Sequence, residues 1–144
     1  MKIEIREQPF APWEAISTYE KEVLDAKHAG QYGAATVFSG TMREFNEGDG
    51  VTGMLLEHYP GMTDRYLEKI SEEAAERWEI LDTLIIHRVG VMMPNDPIVL
   101  VAAWSAHRGE AFAAARYLIE ELKSCAPFWK KEQLDEGERW VAHN

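Results

Sequence analysis

Two periodicities alternate along this chain. Residues 2–6, Lys-Ile-Glu-Ile-Arg, switch between polar and apolar at every step, the spacing of a strand with one covered face. Phe10-Ala11-Pro12-Trp13 then opens a helix, with Pro12 in the first turn, where its missing N–H is not needed. Trp13, Ile16, Val23 and Leu24 give that helix an apolar stripe, and it ends before Gly30 and Gly33. Ala34 to Met42 reads as a buried strand that leads straight to Arg43. Glu44 to Gly50 is polar and glycine-rich, the composition of a mobile loop. Val51 to His58 is the next strand.

The turn Tyr59-Pro60-Gly61-Met62-Thr63 starts a long helix that runs to about Trp78, with Tyr66, Leu67, Ile70, Ala74 and Trp78 on its core face. Asp82 to Val89 is a strand, followed by a turn at Gly90. Pro94-Asn95-Asp96-Pro97 is a second turn, and Ile98 to Ser105 is a nearly continuous apolar strand. A helix from about Glu110 to Leu122 packs through Phe112, Ala115, Leu118 and Leu122. Strands therefore come in pairs between helices. The expected fold is α+β, a mixed and largely antiparallel sheet with three main helices, in one domain spanning residues 1–144. No Gly-x-Gly-x-x-Gly or phosphate-loop pattern is present.

Composition narrows the function. The chain has 144 residues, 46% of them hydrophobic, enough for a core of its own. No apolar run approaches the roughly 20 residues of a membrane span, and the N-terminus lacks an apolar signal core, so a cytoplasmic protein without a membrane partner is expected. A single cysteine, Cys125, excludes an intrachain disulfide and a cysteine-rich metal site. A net charge of −10 argues against nucleic acid as a partner.

Against that acidic background, Lys123-Ser124-Cys125-Ala126-Pro127-Phe128-Trp129-Lys130-Lys131-Glu132 stands out. Pro127 cannot continue a helix, and the residue before it is pushed to extended geometry, so the preceding helix stops here with Lys123 at its end. Beyond the proline, Phe128, Lys130 and Glu132 alternate with Trp129, Lys131 and Gln133, which is strand spacing. Lys123 and Lys130 thus flank a fixed corner and can be aimed at one small volume. The plain structural reading is that Lys123 complements a helix dipole and Lys130 is solvated surface. His107-Arg108 is a second cluster, between a buried strand and a helix N-terminus, where free N–H groups favour an anion. Arg108 pairing with Glu110 or Glu136, with His107 a satisfied linker residue, is the structural alternative. Arg43, ending a strand at a glycine-rich loop, is a third candidate. His58 and His87 lack metal-ligand spacing and read as core or edge residues.

His107-Arg108 and Lys123 sit at opposite ends of one helix of about 14 residues, roughly 20 Å apart at 1.5 Å per residue. One small ligand cannot touch both. If they share a ligand, a second copy of the chain supplies the other half, and a homodimer with a site across its interface follows.

Several ordered blocks carry a resemblance: Leu56-Glu57-His58-Tyr59-Pro60-Gly61-Met62, Ile86-His87-Arg88-Val89-Gly90, Ser105-Ala106-His107-Arg108, Ala126-Pro127-Phe128-Trp129-Lys130 and Gly137-Glu138-Arg139-Trp140-Val141. With these the chain resembles the large, catalytic subunit of molybdopterin synthase over nearly its whole length. The resemblance implies an α/β-hammerhead-like fold with an added small β subdomain. It implies a sulfurtransferase of molybdenum cofactor biosynthesis that works as a homodimer within a heterotetramer. The partner is a small ubiquitin-like sulfur-carrier subunit ending in a Gly-Gly thiocarboxylate. The substrate is cyclic pyranopterin monophosphate (precursor Z), which becomes molybdopterin by gaining a dithiolene. No metal or cofactor is implied for this step. Carried onto this chain, Lys123 and Lys130 are the catalytic positions, and Arg43, His107, Arg108, Lys131, Glu132, Thr41 and Met42 are substrate-binding. Without the resemblance, the same cations would also suit a non-catalytic binder of a phosphorylated metabolite or an acidic C-terminal tail, or a metal-free cyclic phosphodiesterase.

Overall fold

Two central strands, β5 (Asp82–Arg88) and β7 (Pro97–Ser105), are buried on both faces, because the fold covers both. The computed structural model describes residues 1–46, 48–135 and 137–141. In it β1 (Lys2–Arg6) and β2 (Ala34–Thr41) flank the central pair in the order β1-β5-β7-β2. β1 runs parallel to β5, and the other pairings are antiparallel. Leu84, Ile86, Leu100, Ala102 and Trp104 point to one face, against Tyr19 and Leu24. Ile85, Val99 and Val101 point to the other, against Leu67, Ile70 and Leu118.

The first helical stretch is α1 (Pro12–Tyr19), a π-helical turn at Glu20–Leu24, and α2 (Asp25–His28). Its buried line runs through Pro12, Ile16 and Tyr19. Trp13, expected on the apolar stripe, lies about 100° round the helix from Pro12 and is 65% exposed. Tyr19 takes the inner position because its hydroxyl finds a partner there, donating to Asp82 Oδ2 at 2.7 Å.

On the opposite face lie α3 (Met62–Arg77) and α4 (Arg108–Cys125). In α3, Leu67, Ile70 and Ala74 are buried as their spacing predicts. In α4 the buried line is Ala111, Ala114, Ala115, Leu118 and Leu122, and Phe112 is 61% exposed instead of packed. Alanines let α4 lie close against the sheet, and a phenyl ring would hold it off. α4 also runs three residues past Leu122 before Ala126, at φ −66° and ψ 141°, adopts the extended geometry required before Pro127.

A second sheet is built from β3 (Phe45–Asn46), β4 (Asp49–His58), β8 (Phe128–Leu134) and β9 (Gly137–Val141), in that order, with β6 (Gly90–Met92) also paired to β4. The Glu44–Gly50 stretch, expected as a mobile loop, is a short hairpin in which Phe45 pairs with Gly50 and Asn46 with Asp49; Glu47 lies outside the described residues. β2, expected to be buried, is an edge strand and half-exposed, with β7 its single neighbour in the sheet. The architecture is the expected mixed α+β one, its strands divided between two mostly antiparallel sheets.

Leu118 has no exposed surface and ties α4 to the sheet. Leu118→Ala is expected to cost about 2–5 kcal/mol, read as a lower urea midpoint with an unchanged slope.

Candidate active site

The site forms where the two sheets meet the end of α4. Lys123 leaves the last turn of α4, half-buried. The chain turns at Pro127, and β8 then sends Phe128, Lys130 and Glu132 to one side; Phe128 and Glu132 are buried and Lys130 is half-buried. Lys123 and Lys130 line one cleft with Gly40, Thr41 and His87, and an adjoining hollow adds Met42, Arg43 and Asn46. Pairing along both edges holds Lys130 in place, opposite Leu56 of β4 and Val141 of β9.

Arg43 is aimed by the 93–96 turn. Asn95, in the left-handed region at φ 75°, donates its N–H to Met42 O at 2.8 Å, and Met42 N–H donates to Asp96 O at 2.9 Å. Met42 is therefore clamped on both sides and 4% exposed, and Arg43 emerges from it into the cleft mouth. Arg88, 3% exposed, donates from Nη2 to the carbonyls of Glu7 (3.3 Å) and Val91 (3.1 Å), and its Nη1 lies 4.0 Å from Asp96 Oδ2 of the same turn.

The acidic residue nearest the lysines is engaged elsewhere. Glu132 accepts from Asn46 Nδ2 at 3.0 and 3.1 Å and from Arg139 Nε at 2.9 Å. Arg139 goes on to Asn46 O at 2.7 Å and Asp49 at 2.6 Å, which stitches β3, β4, β8 and β9 together. Among the described residues, no carboxylate comes within ion-pair distance of Arg43, Lys123 or Lys130. Burial lowers the Lys130 pKa, and the charges of Lys123 and Arg43 lower it further, with Glu132 opposing. His87, 4% exposed, stacks on Phe128 with centroids 3.9 Å apart and ring planes 12° apart, and its Nδ1–H donates to Arg88 O at 2.7 Å. Burial pushes its pKa down to about 3, helped by Lys130, Lys123 and His58 and opposed by the Arg88 carbonyl. The cleft thus offers unpaired cations around a neutral imidazole, a setting for an anionic substrate.

Three expected site residues lie apart. Lys131 is on the other side of β8, ion-paired with Glu138 at 2.6 Å and 5.5 Å from the centre of the Trp140 ring. His107 and Arg108 sit at the N-terminus of α4, exposed, in a separate hollow with Gly33 and Gly109. Fifteen helical steps separate Arg108 from Lys123, roughly 22 Å. Gly33 is required there, because a Cβ would stand 2.5 Å from Ala106 O. The structure brings together Thr41, Met42, Arg43, Lys123, Lys130 and Glu132. Sequence reasoning missed Asn46, Arg139 and His87. The facing of Glu132 and Arg139 across β8 and β9 was foreshadowed by the Gly137 turn between them. His87 carried no local signal. Among the described residues no cluster of His, Cys, Asp and Glu suits a metal, and no helix is long and apolar enough to cross a membrane.

The model of the MoaE protein family matches residues 7–125. The chain belongs to the MoaE protein family. It is 57% identical to the molybdopterin synthase catalytic subunit of Ralstonia nicotianae over 111 residues, 77% of this chain and 63% of that protein's length. The molybdopterin synthase catalytic subunit of Pseudomonas aeruginosa is 46% identical over 141 residues, 98% of this chain and 90% of that one. The crystal structure of molybdopterin synthase from Staphylococcus aureus superposes with a TM-score of 0.83 at 33% identity, covering 97% of this chain and 96% of that one.

Two outcomes follow from the lowered pKa values. Burial and the neighbouring cations disfavour the charged form of Lys130, so Lys130→Met is expected to raise the melting temperature at neutral pH. That gain shrinks as pH rises toward 10.5, where the unfolded lysine also loses its proton. For His87, between pH 6.5 and about 3 the unfolded chain holds a proton that the native one refuses, so stability falls as pH falls through that window. His87→Phe is expected to flatten that part of the urea-stability profile.

Proposed function

We propose that this cleft transfers sulfur, as the catalytic subunit of a molybdopterin synthase acting in the cytosol. The substrate is cyclic pyranopterin monophosphate, and the sulfur arrives as the C-terminal thiocarboxylate of a small ubiquitin-like carrier. The relatives' names mark those proteins as subunits, in keeping with a carrier partner here. The observation that carries the reading is half-buried Lys123 and Lys130 with exposed Arg43 at the cleft mouth, none within ion-pair distance of a carboxylate among the described residues, in a protein of net charge −10. Substrate and carrier tail are both anions, and both need cations in a site where water is scarce.

Roles follow from position. Arg43, at the mouth, holds the phosphate by a two-pronged contact. Lys123 acts at the reacting carbon by moving a proton or by activating the thiocarboxyl group. Lys130, deeper and desolvated, steadies negative charge as sulfur adds and the phosphate ester opens. Thr41, Met42 and the Asn46–Glu132–Arg139 network shape the wall beside them. Lys131 supports the sheet through Glu138.

His107 and Arg108 enter from a second copy of the chain. They are too far along α4 to reach their own Lys123, and they are exposed at a helix N-terminus suited to a phosphate. Two-fold pairing then yields two complete sites, with one carrier at each.

Reconstitution with precursor Z and a thiocarboxylated carrier, read as dithiolene product by mass spectrometry, tests the reading. Lys123→Ala is expected to lower conversion by at least about 100-fold; near-normal conversion would overturn the assignment. A mixed dimer with Lys123→Ala in one chain and Arg108→Ala in the other keeps one intact site and is expected to hold about half the wild-type activity. Activity no better than that of either single variant's dimer would remove the shared-site arrangement.

A further inference from the structure

His87 has no part in the roles above, yet it lies in the cleft with both lysines. It sits one residue from the end of β5, on the α4 side of the first sheet. Two contacts fix it. The stack on Phe128 sets the plane of the ring, and the bond from Nδ1–H to the Arg88 carbonyl sets its rotation. A carbonyl only accepts, so the proton is on Nδ1 and Nε2 keeps its lone pair. Around it lie Lys123 from α4, Lys130 and Phe128 from β8, His58 from β4 and Val99 from β7, and Thr41 of β2 lines the same cleft. Near so much positive charge, a protonated imidazole is disfavoured. The chain has therefore placed a neutral, tautomer-fixed acceptor beside ammonium groups that, among the described residues, no carboxylate pairs.

We propose that His87 is a positioning residue for Lys130: in the substrate-loaded cleft its Nε2 accepts one hydrogen bond from the Lys130 ammonium and turns the other two N–H donors toward the reacting group. This rests on the sulfur-transfer reading and deepens it. A carboxylate in the same place would neutralise the lysine and weaken its hold on an anion. A neutral acceptor orients the ammonium and leaves its charge available. Phe128 has a second task in this arrangement. It begins the strand that carries Lys130 and is also the surface on which His87 rests.

Three variants separate the contributions of the ring. His87→Phe keeps the stack and removes both nitrogens. His87→Gln places an acceptor near Nε2. His87→Asn keeps a donor near Nδ1 and lacks that acceptor. Each is assayed with its carrier by single turnover across about pH 6 to 10, and Lys130 Nζ is titrated by 15N NMR in the same proteins with precursor Z bound. The Phe and Asn variants are expected to lose about 10- to 100-fold in rate at saturating substrate, with KM changed by less than about 3-fold. Their Lys130 is expected to titrate at lower pH than in the wild type, having lost an acceptor for its charged form. The Gln variant is expected to recover most of the rate and of the titration. A Phe variant with at least half the wild-type rate and an unmoved Lys130 titration overturns the proposal. So does loss in the Gln and Asn variants that is equal and follows their melting temperatures. If the wild type itself yields no sulfurated product, the functional reading fails, and the NMR titration still decides whether His87 serves Lys130.

Discussion

Two ammonium groups in one half-dry cleft repel each other and lose hydration, and the surrounding structure exists to hold them there regardless. Lys123 is fixed because α4 is anchored along its length by Ala111, Ala114, Leu118 and Leu122. Lys130 is fixed because β8 is paired on both edges. Among the described residues neither lysine is offered a carboxylate, and Glu132 is held by Asn46 and Arg139. The cost of the uncompensated charge is met by the apolar packing of the two sheets.

The same constraint explains the division of labour around the cleft. Residues that could quench the lysines are turned away or engaged: Glu138 pairs with Lys131 on the far side of β8, and Asp96 receives the N–H of Met93 in the turn beneath Arg43. Residues that could add further charge are kept neutral, His87 by burial above all. What remains facing the solvent-filled volume is a small set of cations on rigid elements, the arrangement that gives a reacting group its least freedom.

The parts legible in the sequence were those that local chemistry decides. Pro127 had to end α4, and the alternation after it had to put Phe128, Lys130 and Glu132 on one side, and both hold. The length of α4 was readable well enough to separate His107 and Arg108 from Lys123. The rest depended on partners distant in the chain. Trp13 and Phe112 look like core residues and are exposed, because the sheet accepts Tyr19 and a row of alanines at those contacts. Asn46 and Arg139 look like surface, and they meet over Glu132 across 86 and 7 residues of chain. His87 was indistinguishable from any other strand histidine until Phe128 was seen lying against it.

α4 is also a ruler. It carries Arg108 at one end and Lys123 at the other, with no proline or glycine between Gly109 and its end to absorb a change in length. One residue added or lost within it would turn everything beyond by about 100° and slide it about 1.5 Å. The buried alanine line would be broken, and Lys123 would swing out of the cleft. In a two-fold pair the error would occur in both copies, so both sites would be spoiled together. Substitutions on the exposed face of α4 leave that spacing alone, so that face accepts variation in residue type while the helix accepts almost none in length.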